Sequence, residues 1–278
     1  MRTWLITGAN RGLGYEIAKS ALLQGDQVIA TARNVKHLHE KFEGFHPRVL
    51  TLSLDVTDST SISLAIDKGV KQFGQIDILV NNAGFGQLGP FEQISEQAVE
   101  RQFQTNVFGV FAVTRAVLPI MRSQRSGHII SITSLAGLKG MGGSSIYCAS
   151  KFAVEGWSEA LREEVDQFGI KVSLVEPGQF RTDFLDKTSV QYADTWMDEY
   201  ADYAQAQRSR LDAVSHQQLG HPEKLGAAVL ALVDAKSPPT RLPLGSDAYA
   251  VLIKRSEQQR LEAQAWRELS LSTDFPSN

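Results

Sequence analysis

Short apolar, β-branched runs alternate along the chain with longer stretches whose apolar residues recur every three to four positions. The short runs cover residues 3–7, 27–32, 49–55, 76–81, 128–133 and 170–176, with a weaker one at 241–244. Helical periodicity fills intervals between them, at 12–24, 59–73, 106–122, 149–168 and 222–234. Strands alternating with helices of this length predict βαβ units and a parallel sheet. The runs are apolar on both faces, as expected of a sheet covered by helices on both sides.

One region breaks this rhythm. Residues 179–221 follow the sixth strand and carry Phe180, Phe184, Tyr192, Trp196, Met197, Tyr200 and Tyr203. An insertion there lies at the carboxyl edge of the sheet, where open α/β folds bind ligands. It reads as a substrate lid, or equally as a helix whose rings pack on the core. No linker, repeat or low-complexity tract interrupts the chain. Residues 1–278 therefore read as a single dinucleotide-binding catalytic domain, with a C-terminal extension at about 245–278.

Composition narrows the class. The chain has 278 residues, 42% hydrophobic and 21% charged, a globular profile with enough apolar material for a large core. Its 28 Lys and Arg against 31 Asp and Glu give a net charge of −3, so no nucleic-acid partner is expected. The one cysteine, Cys148, excludes an internal disulfide and favours a reducing, cytoplasmic setting. No run approaches the roughly 20 continuous apolar residues of a membrane helix, and no membrane partner is expected. The first residues read as a strand rather than a secretory signal.

The first strand runs into Thr7-Gly8-Ala9-Asn10-Arg11-Gly12-Leu13-Gly14. Glycines allow a tight turn and close approach to a phosphate, and the helix that follows offers free N–H groups and a positive dipole end. The second strand ends Ala30-Thr31-Ala32-Arg33-Asn34. An acidic residue there would hold the ribose 2′-hydroxyl of NAD. Ala32 stands in its place, and Arg33 and Arg11 can pair with a 2′-phosphate instead. NADP(H) is thus the expected cofactor. Asp55-Val56 ends the third strand, where Asp55 meets an adenine amine or simply forms a strand-end turn with Asp58.

Tyr147 and Lys151 stand four residues apart and share one helix face. A nearby ammonium favours the tyrosinate and so lowers the phenol pKa, making Tyr147 a candidate acid/base. Ser134 ends the fifth strand, where its hydroxyl can orient a substrate oxygen. Asn81-Asn82-Ala83-Gly84 ends the fourth, Asn106 opens the long helix beyond it, and Pro177-Gly178 with Thr182 follow the sixth.

With these marks in this order, the chain resembles the short-chain dehydrogenase/reductase family in its compact single-domain branch. The resemblance covers Thr7 through Thr182. It implies a Rossmann-like, doubly wound α/β fold with a seven-stranded parallel sheet. It also implies a Ser134, Tyr147 and Lys151 catalytic set completed by Asn106, which would hold a water in the proton relay. Lys151 would hold the nicotinamide ribose, Asn82, Ala83 and Gly84 would line the cofactor, and Thr182 would meet the carboxamide. Cys148 and Thr133 stand where serine is frequent in the family, and Cys148 reads as a packing residue. A weaker likeness, carried by residues 31–34 and 241–248, points to the retinol- and hydroxysteroid-dehydrogenase-like subgroup.

The expected activity is hydride transfer between NADP(H) and a small hydrophobic carbonyl or secondary alcohol. The alternative is an NADP-binding sensor of the same fold without turnover. Family chemistry such as epimerisation or dehydration usually comes with a larger second domain. Homodimers or homotetramers are expected by analogy with the family. His37, His39 and His46 read as a loop cluster with no acidic ligand nearby, so no metal site is expected, and His128 and His221 have no evident partner.

Overall fold

A computed structural model describes residues 1–186 and 189–275. Along the chain run β1 (Thr3–Thr7), α1 (Gly12–Leu23), β2 (Gln27–Ala32), α2 (Lys36–Phe42), β3 (Val49–Ser53), α3 (Ser59–Phe73), β4 (Ile78–Asn81) and β5 (Gly86–Leu88). Then come α4 (Glu96–Phe103), α5 (Gly109–Gln124), β6 (Gly127–Ile132), α6 (Leu135–Leu138), α7 (Ser145–Asp166) and β7 (Ile170–Pro177). The last elements are β8 (Val190–Tyr192), α8 (Ala201–Val214), α9 (Pro222–Asp234), β9 (Arg241–Leu244), α10 (Ser246–Ala265) and α11 (Arg267–Leu271).

Seven strands form one parallel sheet in the order β3-β2-β1-β4-β6-β7-β9. The chain winds outward from β1 to β3, returns to place β4 against the other side of β1, and winds outward again. The carboxyl ends of β1 and β4 therefore flank the point where the winding reverses, which is where such sheets open a crevice for ligands.

Period-two alternation fills both faces of the sheet. Trp4, Ile6, Val28, Ala30 and Val80 pack with Ile17 and Leu22 of α1 and with Leu225 and Val229 of α9. Leu5, Ile29, Leu79 and Ile129 pack on the opposite face with Ile62 of α3, Val117 of α5 and Leu161 of α7. Each such fully buried side chain contributes about 1.5–3 kcal/mol from removal of apolar surface from water. Gly226 lets α9 lie directly on α1: a Cβ there would stand 2.4 Å from Ser20 Oγ.

The structure departs from the expected elements at several points. The helix expected at 106–122 is continuous with α4 through a π-helical turn, Gln104–Phe108. That turn is wide because it inserts one extra residue per turn, a feature pattern counting does not register. The whole stretch, Glu96–Gln124, is 29 residues and passes a length-and-composition test for crossing a membrane, but α5 is packed against the sheet and α3. α7 starts at Ser145, earlier than the expected 149, so Tyr147 is already helical. β4 starts at Ile78 rather than 76. His37 and His39 lie on α2, not in a loop, and His39 Nδ1 lies 2.8 Å from Thr51 Oγ1.

The insertion after β7 contributes β8, which pairs with β5 in a separate two-stranded parallel sheet (Gly86↔Val190, Leu88↔Tyr192). α8 follows it, with Gln207 its one buried residue. From Ser256 to Phe275 every residue is exposed, so the end of α10 and all of α11 stand clear of the body.

His128 is buried in β6 and does have a partner: its Nε2 lies 2.9 Å from Ser173 Oγ on β7. Burial pushes its pKa down from 6.5 to about 4, so the ring is neutral in the folded chain at pH 7. The folded value lies below the unfolded one, so acid favours the unfolded state. The stability from the neutral ring is complete above about pH 6.5 and is lost as pH falls towards 4. In urea melts at pH 7 and pH 4, His128→Gln should lose less stability on acidification than the wild type, by about 3 kcal/mol at most. Parallel acid limbs for the two proteins would refute this.

Candidate active site

The turn from β1 to α1 depends on glycine. Gly8 (φ +68°) and Gly12 (φ +57°) occupy the left-handed region that side chains disfavour. At Gly14 the constraint is space: a Cβ would lie 2.4 Å from Asn82 Nδ2 and 2.6 Å from Gly8 O. Arg11 at the N-cap makes no side-chain capping bond, and no acid stands in the first turn of α1. Among the described residues no side chain caps the first N–H groups of α1, the donor set a pyrophosphate takes.

The turn is stitched to the end of β4. Thr7 Oγ1 accepts from Asn82 N (2.9 Å) and Ala83 N (3.0 Å). Asn82 Nδ2 donates to Thr7 O (2.9 Å) and Gly8 O (3.1 Å). The Asn82 amide therefore shapes the turn, and it is the backbone of 82–84 that borders the crevice. Asn81 is buried and donates to Thr114 Oγ1 at 2.9 Å.

Around the adenosine end, the side chain of Ala32 is buried and Arg33 is exposed at the tip of β2. Arg11 reaches the other way, donating from Nη2 to Ser189 Oγ of the insertion at 2.7 Å. A cation missed in the sequence joins the group: Lys41 donates to Asn10 O at 2.8 Å, its Nζ 5.1 Å from the Tyr15 ring centroid. Its position on a separate helix, 31 residues from Asn10, left no local signal. Asp55 Oδ1 accepts from Thr57 N (2.9 Å) and Thr57 Oγ1 (2.8 Å), which is the strand-end turn, while Asp58 caps α3 through Thr60 N. Val56 packs into the core, where a Cβ on Gly109 would come within 2.7 Å of its Cγ2.

At the reaction end, Ser134 closes β6 and caps α6 by accepting from Ala136 N at 3.1 Å. Its hydroxyl lies near enough to the Tyr147 phenol to act on it, favouring the ionised form. Tyr147 is buried, with its ring 5.7 Å from that of Phe184. Lys151 Nζ lies 5.7 Å from the Tyr147 ring centroid and donates to Ile132 O at 2.9 Å. Asn106 sits in the π-turn: Oδ1 accepts from Phe85 N (3.1 Å), and Nδ2 donates to Phe85 O (2.9 Å) and Ser150 Oγ (3.4 Å). On the far side, the Thr182 methyl lies 3.8 Å from where a Gly12 Cβ would stand. Gly178 donates to Leu244 O at 2.8 Å.

Burial governs the electrostatics. It raises the Tyr147 phenol well above 10, against the opposing influence of the Ser134 hydroxyl. It also lowers Lys151 to about 8, partly offset by the charge of Glu155. The expectation that Lys151 depresses Tyr147 is thus not met in the chain by itself, because both groups are withdrawn from water and each favours its neutral form. Cys148 is buried against Lys139 O, and burial pushes its thiol up, as for an inert packing residue.

A cavity of about 450 Å³ lies beyond the 139–144 loop, with Gly89, Gln93, Tyr192, Trp196, Gln207 and Arg208 among its lining residues. Gln207 Nε2 and Gly89 N both donate to Gly143 O, at 2.6 and 2.8 Å, and tie this cavity to the loop preceding Tyr147. Elsewhere Asp183, Asp186 and His216 bring ligand atoms within 4.8 Å of one another, with His216 Nε2 3.1 Å from Asp186 Oδ1. Asp183 and Asp186 stand three residues apart, but His216 lies 30 residues beyond Asp186, so no spacing announced the group.

The parallel sheet with its glycine turn at the winding reversal is a Rossmann-like, dinucleotide-binding architecture, with Tyr147 and Lys151 buried beside the half-buried Ser134. A family model described as short chain dehydrogenase matches residues 2–193, and the chain belongs to the short-chain dehydrogenase family. It is 40% identical over 273 residues to oxidoreductase BOA17 of Botryotinia fuckeliana, covering 98% of this chain and 99% of that one. It is 41% identical over 242 residues to 3-ketodihydrosphingosine reductase of Bacteroides thetaiotaomicron, covering 87% of each. A crystal structure of a short-chain dehydrogenase from Streptomyces avermitilis superimposes with a TM-score of 0.91, at 38% identity and 99% coverage of both chains. Solved structures of this fold include complexes with NAD and with NADP+.

Gly14→Ala tests the stitched turn. The overlap with Asn82 Nδ2 and Gly8 O should destabilise the protein by about 1–3 kcal/mol in thermal melts. Gly140→Ala is the control, because a Cβ there meets nothing within 4 Å. Equal melting of the two variants would refute the close approach.

Proposed function

We propose that this chain is an NADP(H)-dependent carbonyl reductase or alcohol dehydrogenase with Tyr147 as its acid/base. The observation that carries the reading is the buried Tyr147 phenol beside the Ser134 hydroxyl, with Lys151 one helical turn further on and its Nζ 5.7 Å from the Tyr147 ring centroid. When bound, the nicotinamide gives a hydride to, or takes one from, the substrate carbon. Ser134 orients the substrate oxygen. Tyr147 donates its proton to that oxygen in reduction and takes it back in oxidation. The raised phenol pKa keeps Tyr147 protonated at neutral pH, which suits the reductive direction. Lys151 would hold the nicotinamide ribose, and the positive charges of the ammonium and the oxidised ring would ease proton removal in the reverse direction. Asn106, in its π-turn, would hold a water of the proton relay.

For the cofactor, the fold admits either dinucleotide. NADP(H) is favoured by the absence of an acid at the end of β2 and by the positive charge of Arg33, with Lys41 and Arg11 flanking the turn. The backbone of Gly8 to Gly14 would take the pyrophosphate, residues 82–84 would border the ribose, and Thr182 with the Pro177-Gly178 backbone would meet the carboxamide. The substrate is a hydrophobic ketone, aldehyde or secondary alcohol, held between residues 85–90, the 135–144 loop and the lid 179–221. The cavity lined by Tyr192 and Trp196 supports this, as does the kinship with a reductase of 3-ketodihydrosphingosine. Phe108 and Phe152 stand exposed near the start of α5 and on α7, which supports a homodimer or homotetramer.

Tyr147→Phe should cut NADPH-dependent turnover across a panel of aliphatic, aromatic and steroid-like carbonyls by about 10²–10⁴-fold. NADPH affinity, read by fluorescence, should stay within about twofold of wild type. NADPH binding by a wild type that turns over nothing would instead favour a dinucleotide sensor.

Arg33→Asp should weaken NADPH binding by roughly 10–100-fold and leave NADH nearly unchanged, since a charge-assisted hydrogen bond contributes about 1.5–3 kcal/mol. Equal loss for both dinucleotides would overturn the 2′-phosphate assignment.

A further inference from the structure

Behind the reaction centre lies a charged cluster that the mechanism above does not use. Glu155 is on α7, one turn beyond Lys151, and Glu176 is the residue before Pro177 on β7. Both are buried, at 2% and 0% exposure. Arg241 of β9 reaches between them: its Nη1 bonds Glu155 and lies 2.8 Å from Glu176 Oε1, while its Nε lies 3.0 Å from Glu159 Oε1. One guanidinium thus faces two buried carboxyls and a third, exposed one.

Charge balance in such a place is unforgiving, because an unpaired buried carboxylate loses its hydration without return. Glu155 Oε1 and Glu176 Oε2 have no donor from the chain among the described residues, and the other oxygens of the two carboxyls meet at the same Arg241 Nη1. A single proton retained by the pair supplies the missing donor and leaves one negative charge for Arg241. The raised pKa values of both carboxyls, Glu155 to about 7, agree with this.

The cluster also touches each segment that bears the site. Thr133, next to Ser134, donates its hydroxyl to Val175 O at 3.1 Å and so ties the Ser134 segment to the strand that carries Glu176. Gly137, in the turn that Ser134 caps, lies so close that a Cβ would stand 2.8 Å from Glu155 Oε1. Glu176 adjoins the Pro177-Gly178 turn, whose next residue, Gln179, donates its N–H to Asp247 Oδ2 at 2.7 Å. The charged groups facing Glu155 are therefore Lys151 and Glu159 on its own helix, Glu176 on β7 and Arg241 on β9, with Asp247 at the start of α10 behind the turn.

We propose that Glu155, paired with Glu176 through Arg241, is a positioning residue for the reaction: it joins the Ser134, Lys151 and Pro177-Gly178 segments and supplies the countercharge to Lys151. This rests on the reductase reading, in which Lys151 acts as an ammonium. The two carboxyls have opposite effects on Lys151. Removing Glu155 deletes the countercharge. Removing Glu176 relieves Glu155 of its competitor, so Glu155 ionises fully and the countercharge grows.

The test uses full-length protein labelled with ¹³C-lysine, with no cofactor. The Lys151 ε-CH₂ resonance, assigned with Lys151→Arg, is titrated by NMR. In Glu155→Gln the Lys151 midpoint should fall by on the order of one pH unit. In Glu176→Gln it should rise. The alkaline limb of NADPH-dependent turnover should move in the same two directions. Midpoints that stay put, or that move the same way in both variants, would overturn the proposal, because a purely structural cluster has no reason to shift Lys151 in opposite senses. If Glu155→Gln fails to fold in a thermal melt, Glu176→Gln decides alone: a rise supports the proposal and its absence refutes it. The NMR midpoint needs no turnover, so a failure of the reductase reading would show separately, as absent activity in the wild type.

Discussion

The Thr7 hydroxyl holds the working part of this molecule in shape. It joins the end of β1 to the end of β4 at the point where the winding of the sheet reverses. A parallel sheet buried on both faces offers ligands nothing along its length; only its carboxyl edge is open, and only the reversal leaves that edge uncovered. Thr7 and Asn82 keep the two strand ends and the glycine turn in register there. Without that register the uncapped N-terminus of α1 and the residues after β4 would not face one crevice. The Asn82 side chain thus acts on the site by shaping backbone rather than by presenting its own amide.

At the other end of the crevice the governing term is desolvation. Tyr147, Lys151, Glu155 and Glu176 are all withdrawn from water, and each is displaced towards its neutral form. Such groups are expensive to bury singly and tolerable together, since each neighbour of opposite charge returns part of the lost hydration. The carbonyl of Ile132 and the charge of Glu155 steady Lys151, and Arg241 steadies the two carboxyls. The last strand, nearly 100 residues beyond Tyr147, therefore takes part in the electrostatics of the centre through one guanidinium.

The insertion after β7 resolves the open question about its aromatic residues by dividing them. Phe184 and Tyr192 belong to the small apolar cluster around Tyr147, Phe180 packs against the main core, and Trp196 and Tyr203 stay largely exposed. The three-residue strand β8 anchors the segment to β5, and Arg11 reaches it from the glycine turn through Ser189. The same residue type that suits a phosphate thus also links the dinucleotide side of the crevice to the segment over the substrate side.

The order of strands and helices was legible in the sequence because each carries its own period, and β1, β2, α3, α9 and β9 fall where the pattern puts them. So was the nearness of Tyr147 and Lys151, since residues four apart share a helix face, while Ser134 and Asn106 joined them through the resemblance to the family. The π-turn at Asn106, the β5–β8 pair, the partner of His128, Lys41 over the glycine turn and the Glu155–Glu176–Arg241 cluster were not legible. Periodicity records which face of an element is apolar, a local property of neighbouring residues. Which charges meet, and which lose their water on meeting, depends on distances between segments remote in the chain, and those distances exist only once the sheet has closed and its helices have packed on it.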